Sequence, residues 1–167
     1  MKKVILAMLV LSVQLAVAQK VAYIEMEKVL DKMPAFEEAG KAIDAQASTW
    51  EAELDAKFQS IESMYQEYVN SEAMLADDMK RQKQEAIFKA EAEANEFKEQ
   101  KFGMEGEISA LQDEKFGPLY EQVYETAEKV AAELEYDYVF DKSSDNSWIY
   151  TNPAHDLTEQ VIAELGL

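Results

Sequence analysis

Cysteine is absent from this chain, so no disulfide braces it and stability has to come from helix packing or from assembly. Turn chemistry is nearly as scarce: there are five glycines and three prolines in 167 residues. A hundred-residue stretch from Pro34 to Leu134 is almost free of stop signals. Histidine occurs once, at His155, with no second histidine and no thiol to complete a zinc site. Positive charge is outnumbered, 16 Lys and Arg against 34 Asp and Glu, for a formal charge of −18. Such a chain repels nucleic acid and anionic membrane at long range, and its charge reads as the solvated exterior of a coiled coil. There is no glycine-rich phosphate loop and no nucleophile elbow. The carboxylates of the long stretch lie on helix surfaces in water, without an apolar pocket to raise a pKa for acid catalysis. No enzyme activity, no cofactor and no metal is therefore expected. Asp141, Ser143 and Asp145 imitate the start of a calcium loop, but Asn146 stands where the glycine belongs and Asn152 where the glutamate does, so a plain β-turn is expected.

Long apolar runs are also missing, with one exception at the start. Lys2 and Lys3 precede an unbroken apolar run, Val4 to Leu11, and Ala16-Val17-Ala18 ends in small residues before Gln19. This pattern is that of a signal peptide, residues 1–18, cleaved after Ala18. The run is well short of the roughly 20 residues that a spanning helix needs. Removal takes Lys2 and Lys3 with it and leaves a mature chain near −20, expected to be exported and soluble, of single-domain length (residues 19–167).

What the sequence does contain is a repeat of seven. Phe36, Ile43, Trp50, Lys57 and Met64 form one series, and Ala47, Leu54, Ile61 and Tyr68 the other; both fall on one helix face. Only Lys57 breaks the pattern, which holds over about four heptads and predicts a coiled-coil seam. A second run restarts with Ile87, Ala94 and Ile108 beside Ala90, Phe97, Met104 and Leu111, with Lys101 as its polar interior position. Asn70, Ser71, Asp77 and Asp78 fall where the pattern lapses and favour caps and turns, so a hairpin tip is expected near residues 70–78. The arms, about 34–70 and 78–116, are nearly equal in length, as an antiparallel hairpin requires. Gly103 and Gly106 interrupt the return arm and mark either a hinge or close helix packing. Pro118 should kink or restart the helix, which then continues through Val123, Ala127, Val130 and Leu134.

The flanks read differently. Lys20 to Met26 (KVAYIEM), Tyr136 to Asp141 (YDYVFD) and Ser147 to Thr151 (SWIYT) are strand candidates, the last two expected to form a β-hairpin. Glu27 to Lys32 suits a short helix ended by Met33 before Pro34. Asp156 with Glu159 predicts a capping box for a C-terminal helix, Leu157 to Leu165, with Gly166 at its exit. Three short strands cannot bury themselves alone, and open edges invite pairing with other copies. The expected fold is α+β, mostly α: a long antiparallel helical hairpin attached to a small β body formed by oligomerisation of short strands. The arm takes residues 34–118 and the body 19–33 with 119–167. The strand residues expected at the assembly contacts are Val21, Tyr23, Ile24, Tyr138, Val139, Phe140, Trp148, Ile149 and Tyr150.

Two surface features remain. Met64, Tyr65, Tyr68, Met74, Met79, Phe88 and Phe102 are apolar side chains on arms that have little core to occupy, and Met and aromatics adapt to varied apolar partners. Lys80, Arg81 and Lys83 give the tip local positive charge on an acidic body.

The opening VAYIEMEKVLDKMPAFEEA, the long hairpin, VAAELEYDYVFDKSS and the closing DLTEQVIAEL together resemble the Skp/OmpH family of periplasmic chaperones for outer-membrane proteins. The first and last blocks are the specific part of the likeness. The resemblance implies a homotrimer whose strands build a central body from which three hairpins hang around a cavity. That cavity would hold unfolded outer-membrane β-barrel polypeptides without ATP, with the apolar arm residues above lining it. The best-known members are basic, whereas this chain is near −20, so lipopolysaccharide binding is not carried over. A second reading, from another class, is a structural envelope adaptor whose tips dock one folded partner.

Overall fold

The computed structural model describes residues 19–143 and 148–167. The expected leader and loop positions 144–147 lie outside the described residues. In chain order the elements are β1 (Val21–Ile24), α1 (Met26–Leu30), α2 (Pro34–Ser71), a 3-10 turn (Glu72–Met74), α3 (Asp77–Phe102), α4 (Glu107–Glu133), β2 (Tyr138–Asp141), a second 3-10 turn (Pro153–His155) and α5 (Thr158–Glu164). The expected class, mostly α with a small β element, is the one observed. The chain divides into two units: the chain up to Met33 with Tyr120–Leu167, and Pro34–Leu119. Helix α4 gives its first part to one unit and the remainder to the other.

In the unit Pro34–Leu119, α2 and α3 pair as antiparallel neighbours. Tyr68 meets Gln84, Tyr65 meets Glu91, Lys57 stands over Phe97, Trp50 meets Phe102 edge-on and Phe36 packs against Phe116, each step down α2 matched by a step up the return arm. Every member of the two heptad series on α2 is buried or half-buried, and nearly everything between them is exposed. A seven-residue repeat keeps one stripe facing its partner along the full length of a helix, and that stripe is the seam. Near the tip it closes into a cluster of Ile61, Tyr68, Ile87 and Ala94, with Met64, Leu75 and Ala90 against it.

The two lysines that break the repeat are accommodated by stacking on aromatic faces. Lys57 Nζ lies 5.2 Å from the Phe97 ring centre, while Lys101 Nζ lies 5.0 Å from that of Trp50 and 5.6 Å from that of Phe97. Lys101 also reaches Glu107 at 2.6 Å. The ammonium is thus balanced by ring quadrupoles and a carboxylate while the aliphatic stem fills the seam.

Two expectations for the return arm need correction. Met104, placed in the seam by periodicity, is 95% exposed. The helix stops at Phe102, and residues 103–106 turn the chain, so Phe102 packs on Trp50 in its place. The break keeps step, because Trp50 opposite Phe102 and Phe36 opposite Phe116 are separated by equal lengths of chain on both arms. A Cβ at Gly106 would lie 2.9 Å from the backbone of Gly103 and Lys101, and one at Gly103 would lie 2.4 Å from the Glu99 carbonyl, so both glycines are set by close backbone approach. Pro118, expected to kink or restart the helix, does not restart it but lies inside α4. It is exposed, and Gly117 beside it has nothing within 4 Å of a Cβ, so the Glu114 carbonyl that loses its donor can be hydrated.

In the other unit β1 and β2 pair in parallel, with Val21 opposite Tyr138 and Ile24 opposite Asp141. The expected hairpin between Tyr136–Asp141 and Ser147–Thr151 is not formed: Trp148 to Thr151 have no strand geometry, although Trp148 packs its ring 5.8 Å from Phe140. β-Branched and aromatic residues favour a strand only when a neighbour supplies the ladder, and Ile149 and Tyr150 lie exposed instead. Beneath β1 the core gathers Tyr23, Ile24, Val29, Leu30, Val123, Val130, Leu157 and Val161.

Side chains tie these elements together. Asp141 accepts from Met26 N at 3.2 Å and Ser143 N at 2.8 Å, and Ser143 Oγ accepts from Glu27 N, so the turn after β2 caps α1. Buried Thr158 donates to Asp156 Oδ1 and accepts from Glu25 N at 2.9 Å. The Asp156 carboxylate also accepts from Thr158 N, but the reciprocal half of the expected capping box is replaced: Asp156 N donates to the Pro153 carbonyl, and α5 starts at Thr158. At the far end Gly166 has φ +77° and Leu167 N bonds back to Ile162 O, a Schellman closure that ends α5 at Glu164. The same closure ends α4, with Tyr136 N on Ala131 O, but there Glu135 takes the left-handed position at φ 57°.

Candidate functional site

The residues expected to meet a partner separate into two groups by burial. Tyr68 and Met64 belong to the seam, and Phe102 packs on Trp50; Tyr68 is tied twice, donating to Glu72 and accepting from Gln84 at 2.7 Å. Tyr65, Met74, Met79 and Phe88 are exposed, Met74 at 83% and Phe88 at 72%. Phe58 and Val69 join them as exposed apolar side chains of α2 that the prediction of partner-contacting residues did not include. The signal that finds both is their position: each lies outside the two heptad series.

Tyr65, Phe88 and Glu91 line one groove with Tyr68, Gln84 and Ile87, of about 380 Å³. Tyr65 donates to Glu91 Oε1 at 3.0 Å. That bond, with partial burial and the nearby negative charge, raises the Tyr65 pKa above the ordinary phenol value. Tyr68 is raised as well, first by burial and then by its bond to Glu72.

The tip cations are less available than the sequence suggests. Arg81 pairs with Asp78 on its own helix, and Lys83 reaches across to Glu67 at 2.9 Å. The Lys83 pair holds the Glu67 carboxyl below its usual range.

In the unit that contains the strands, a second groove of about 330 Å³ runs between β2 and α4, lined in part by Tyr124, Ala127, Ala131, Tyr138 and Phe140. The rings of Tyr138 and Phe140 stack with centres 6.5 Å apart, and both are exposed, as are Trp148, Ile149 and Tyr150. Val139 is half-buried, while Tyr23 and Ile24 are core residues of β1. His155 Nδ1 lies 3.0 Å from the Tyr136 hydroxyl, and Lys20 Nζ stands 4.7 Å over the Tyr136 ring while donating to the Leu134 carbonyl. These contacts fasten the end of α4 beside β1. No group of His, Asp and Glu side chains suited to holding a metal ion occurs among the described residues, and none of their helices is long and apolar enough to cross a membrane.

The fold and its surfaces define a protein that carries a seam-locked antiparallel helical hairpin with outward apolar side chains and an α+β unit with an open strand edge. A family model for OmpH-like outer membrane proteins matches residues 20–165. The chain belongs to that family. No curated protein matches it in sequence. Among solved structures, a protein from Caulobacter crescentus given the provisional description of an OmpH-like outer membrane chaperone shares the fold, with a TM-score of 0.70 and 14% identity over 88% of this chain and 83% of that one.

Proposed function

We propose that this chain is an ATP-independent holdase chaperone that binds unfolded outer-membrane proteins and keeps them from aggregating. The observation that carries this reading is the apolar surface of the hairpin. Tyr65, Val69, Met74, Met79 and Phe88 stand outward on helices whose own seam is already filled by Ile61, Tyr68, Ile87 and Ala94. Their exposure is not needed for pairing the arms. Dispersed methionines and aromatics give weak, adaptable contacts suited to clients of many sequences.

In this reading the chain works in the periplasm after loss of residues 1–18, as a homotrimer assembled through the strand-bearing unit. Support for assembly comes from the position of β2 at the edge of the two-stranded sheet formed by the described residues and from the exposed Tyr138, Phe140, Trp148, Ile149 and Tyr150. Three arms around one client raise avidity without any strong single site. The adaptor reading draws less support, because two of the three tip cations are already paired within the hairpin.

The test is light scattering of a denatured outer-membrane β-barrel protein diluted from urea with the mature chain and no nucleotide. Suppression at a few-fold molar excess is expected. Unchanged aggregation would refute the proposal.

A further inference from the structure

The middle of the hairpin shows how this chain accommodates a cation. Lys101 stands over Trp50 and Phe97 with its ammonium 2.6 Å from Glu107, and Lys57 also stands over Phe97. Two rings and a carboxylate form the unit. Nearer the tip, Tyr65 from α2 and Phe88 and Glu91 from α3 line one groove of about 380 Å³ and present the same three chemical groups outward. Glu91 Oε1 is held by the Tyr65 hydroxyl at 3.0 Å, and both residues line the groove. Among the described residues no lysine or arginine pairs with Glu91 or stacks on Tyr65 or Phe88, although Lys83 and Lys89 are close in sequence: Lys83 is drawn to Glu67 and Lys89 to Glu93.

We propose that the Tyr65–Phe88–Glu91 groove is a client subsite for cationic-aromatic sequence, taking an arginine or lysine that stands beside an apolar residue in an unfolded chain. The inference rests on the holdase reading and names the class of segment the arm selects. Charge complementarity chooses the occupant: the chain carries −18 overall, and the groove contributes a carboxylate and the two exposed rings of Tyr65 and Phe88, with no cation among its lining residues. An apolar segment flanked by Asp or Glu would place like charge against Glu91, whereas a guanidinium can stack on the rings and donate to the carboxylate at once. The segments this groove favours are therefore those where positive charge interrupts apolar sequence.

The test compares two labelled disordered peptides by fluorescence anisotropy against the full mature protein. One alternates arginine with tryptophan; the other has citrulline, a neutral residue of matching shape, at each arginine. The arginine peptide is expected to bind about five- to tenfold more tightly at low salt, the combined effect of one cation–π contact and one exposed ion pair, with the gap narrowing as salt rises. Glu91→Gln, which keeps an acceptor for Tyr65 but removes the ion pair, should cut that preference to roughly two- to threefold, and Phe88→Leu, which keeps apolar bulk but no ring, should also reduce it. Glu53→Gln, an exposed carboxylate elsewhere on α2, should leave it intact. Equal binding of the two peptides, or a preference undiminished in Glu91→Gln, overturns the subsite while aggregation suppression stands. Loss of aggregation suppression by the unaltered protein overturns the holdase reading itself.

Discussion

Ile87 and Phe88 are neighbours in sequence with opposite assignments, and replacing each by alanine separates architecture from function. Ile87 is 4% exposed within the seam cluster. Its truncation removes buried methyl groups and leaves a cavity between α2 and α3, at a cost of about 2–5 kcal/mol in a close-packed core; a two-helix layer relaxes readily, which places the expectation near ~2–3 kcal/mol. Phe88 is 72% exposed, so only a little over a quarter of it is covered. For a ring of roughly 200 Å² that is about 55 Å², or ~1.4 kcal/mol at 25 cal/mol per Å². Alanine's better helix propensity returns about 0.5 kcal/mol, leaving a net cost below ~1 kcal/mol. Urea unfolding followed by circular dichroism measures both, and aggregation of a diluted client measures holding. Ile87→Ala should shift the unfolding midpoint clearly, while Phe88→Ala should leave it nearly in place and weaken client protection several-fold. A Phe88→Ala protein that is strongly destabilised, or one that protects clients undiminished, would refute the division between seam and surface.

Four other changes follow from local geometry. Glu135→Gly relieves a left-handed backbone position at φ 57° and should stabilise the strand-bearing unit by about 1 kcal/mol, read as a rise in Tm. Gly40→Ala, in open space on α2, should stabilise by about 1 kcal/mol, whereas Gly103→Ala places a Cβ 2.4 Å from the Glu99 carbonyl and should destabilise; the pair is compared by thermal melts. Because Tyr65 and Tyr68 have raised pKa values, the stability held by their protonated hydroxyls is complete below the ordinary phenol range and is lost as pH rises through the folded values, so the hairpin should melt earlier in alkali and Tyr65→Phe should blunt that dependence. Glu37 and Glu67, held low by Lys41 and Lys83, act in the opposite sense: their contribution is complete above the ordinary carboxylate range and fades as pH falls through the depressed values, visible as a small drop in Tm in acid. Sedimentation equilibrium of the mature chain should give the trimer mass, and a monomer would remove the proposed assembly.

The long-range order of the hairpin is legible in the sequence because a seven-residue repeat nearly matches two helical turns, so Phe36 through Tyr68 declare one face wherever the partner lies. Lys57 and Lys101 look like defects in that code. They become intelligible only once Trp50, Phe97 and Glu107 are seen around them, a set drawn from distant parts of the chain. Periodicity also carries Met104 into the seam and misses Phe102, since a count by sevens cannot register where the backbone turns at Gly103. The parallel pairing of Val21 with Tyr138 is hidden for a related reason: turn residues announce local hairpins, whereas a pairing across more than a hundred residues has no local sign. At the candidate site, composition finds Tyr65, Met74, Met79 and Phe88 but also Tyr68, because apolar identity does not distinguish a residue on the repeat from one beside it. Glu91 carries no apolar signal at all and is found only through its bond to Tyr65.

The most direct measurement places a photo-crosslinking amino acid at Phe88 or Val69 and offers the mature protein an outer-membrane β-barrel protein in unfolded and in folded form. Crosslinks at both positions to the unfolded chain, and none to the folded barrel, are what a holdase with an apolar arm surface predicts. Crosslinks confined to a folded partner, or absent with both, would contradict it.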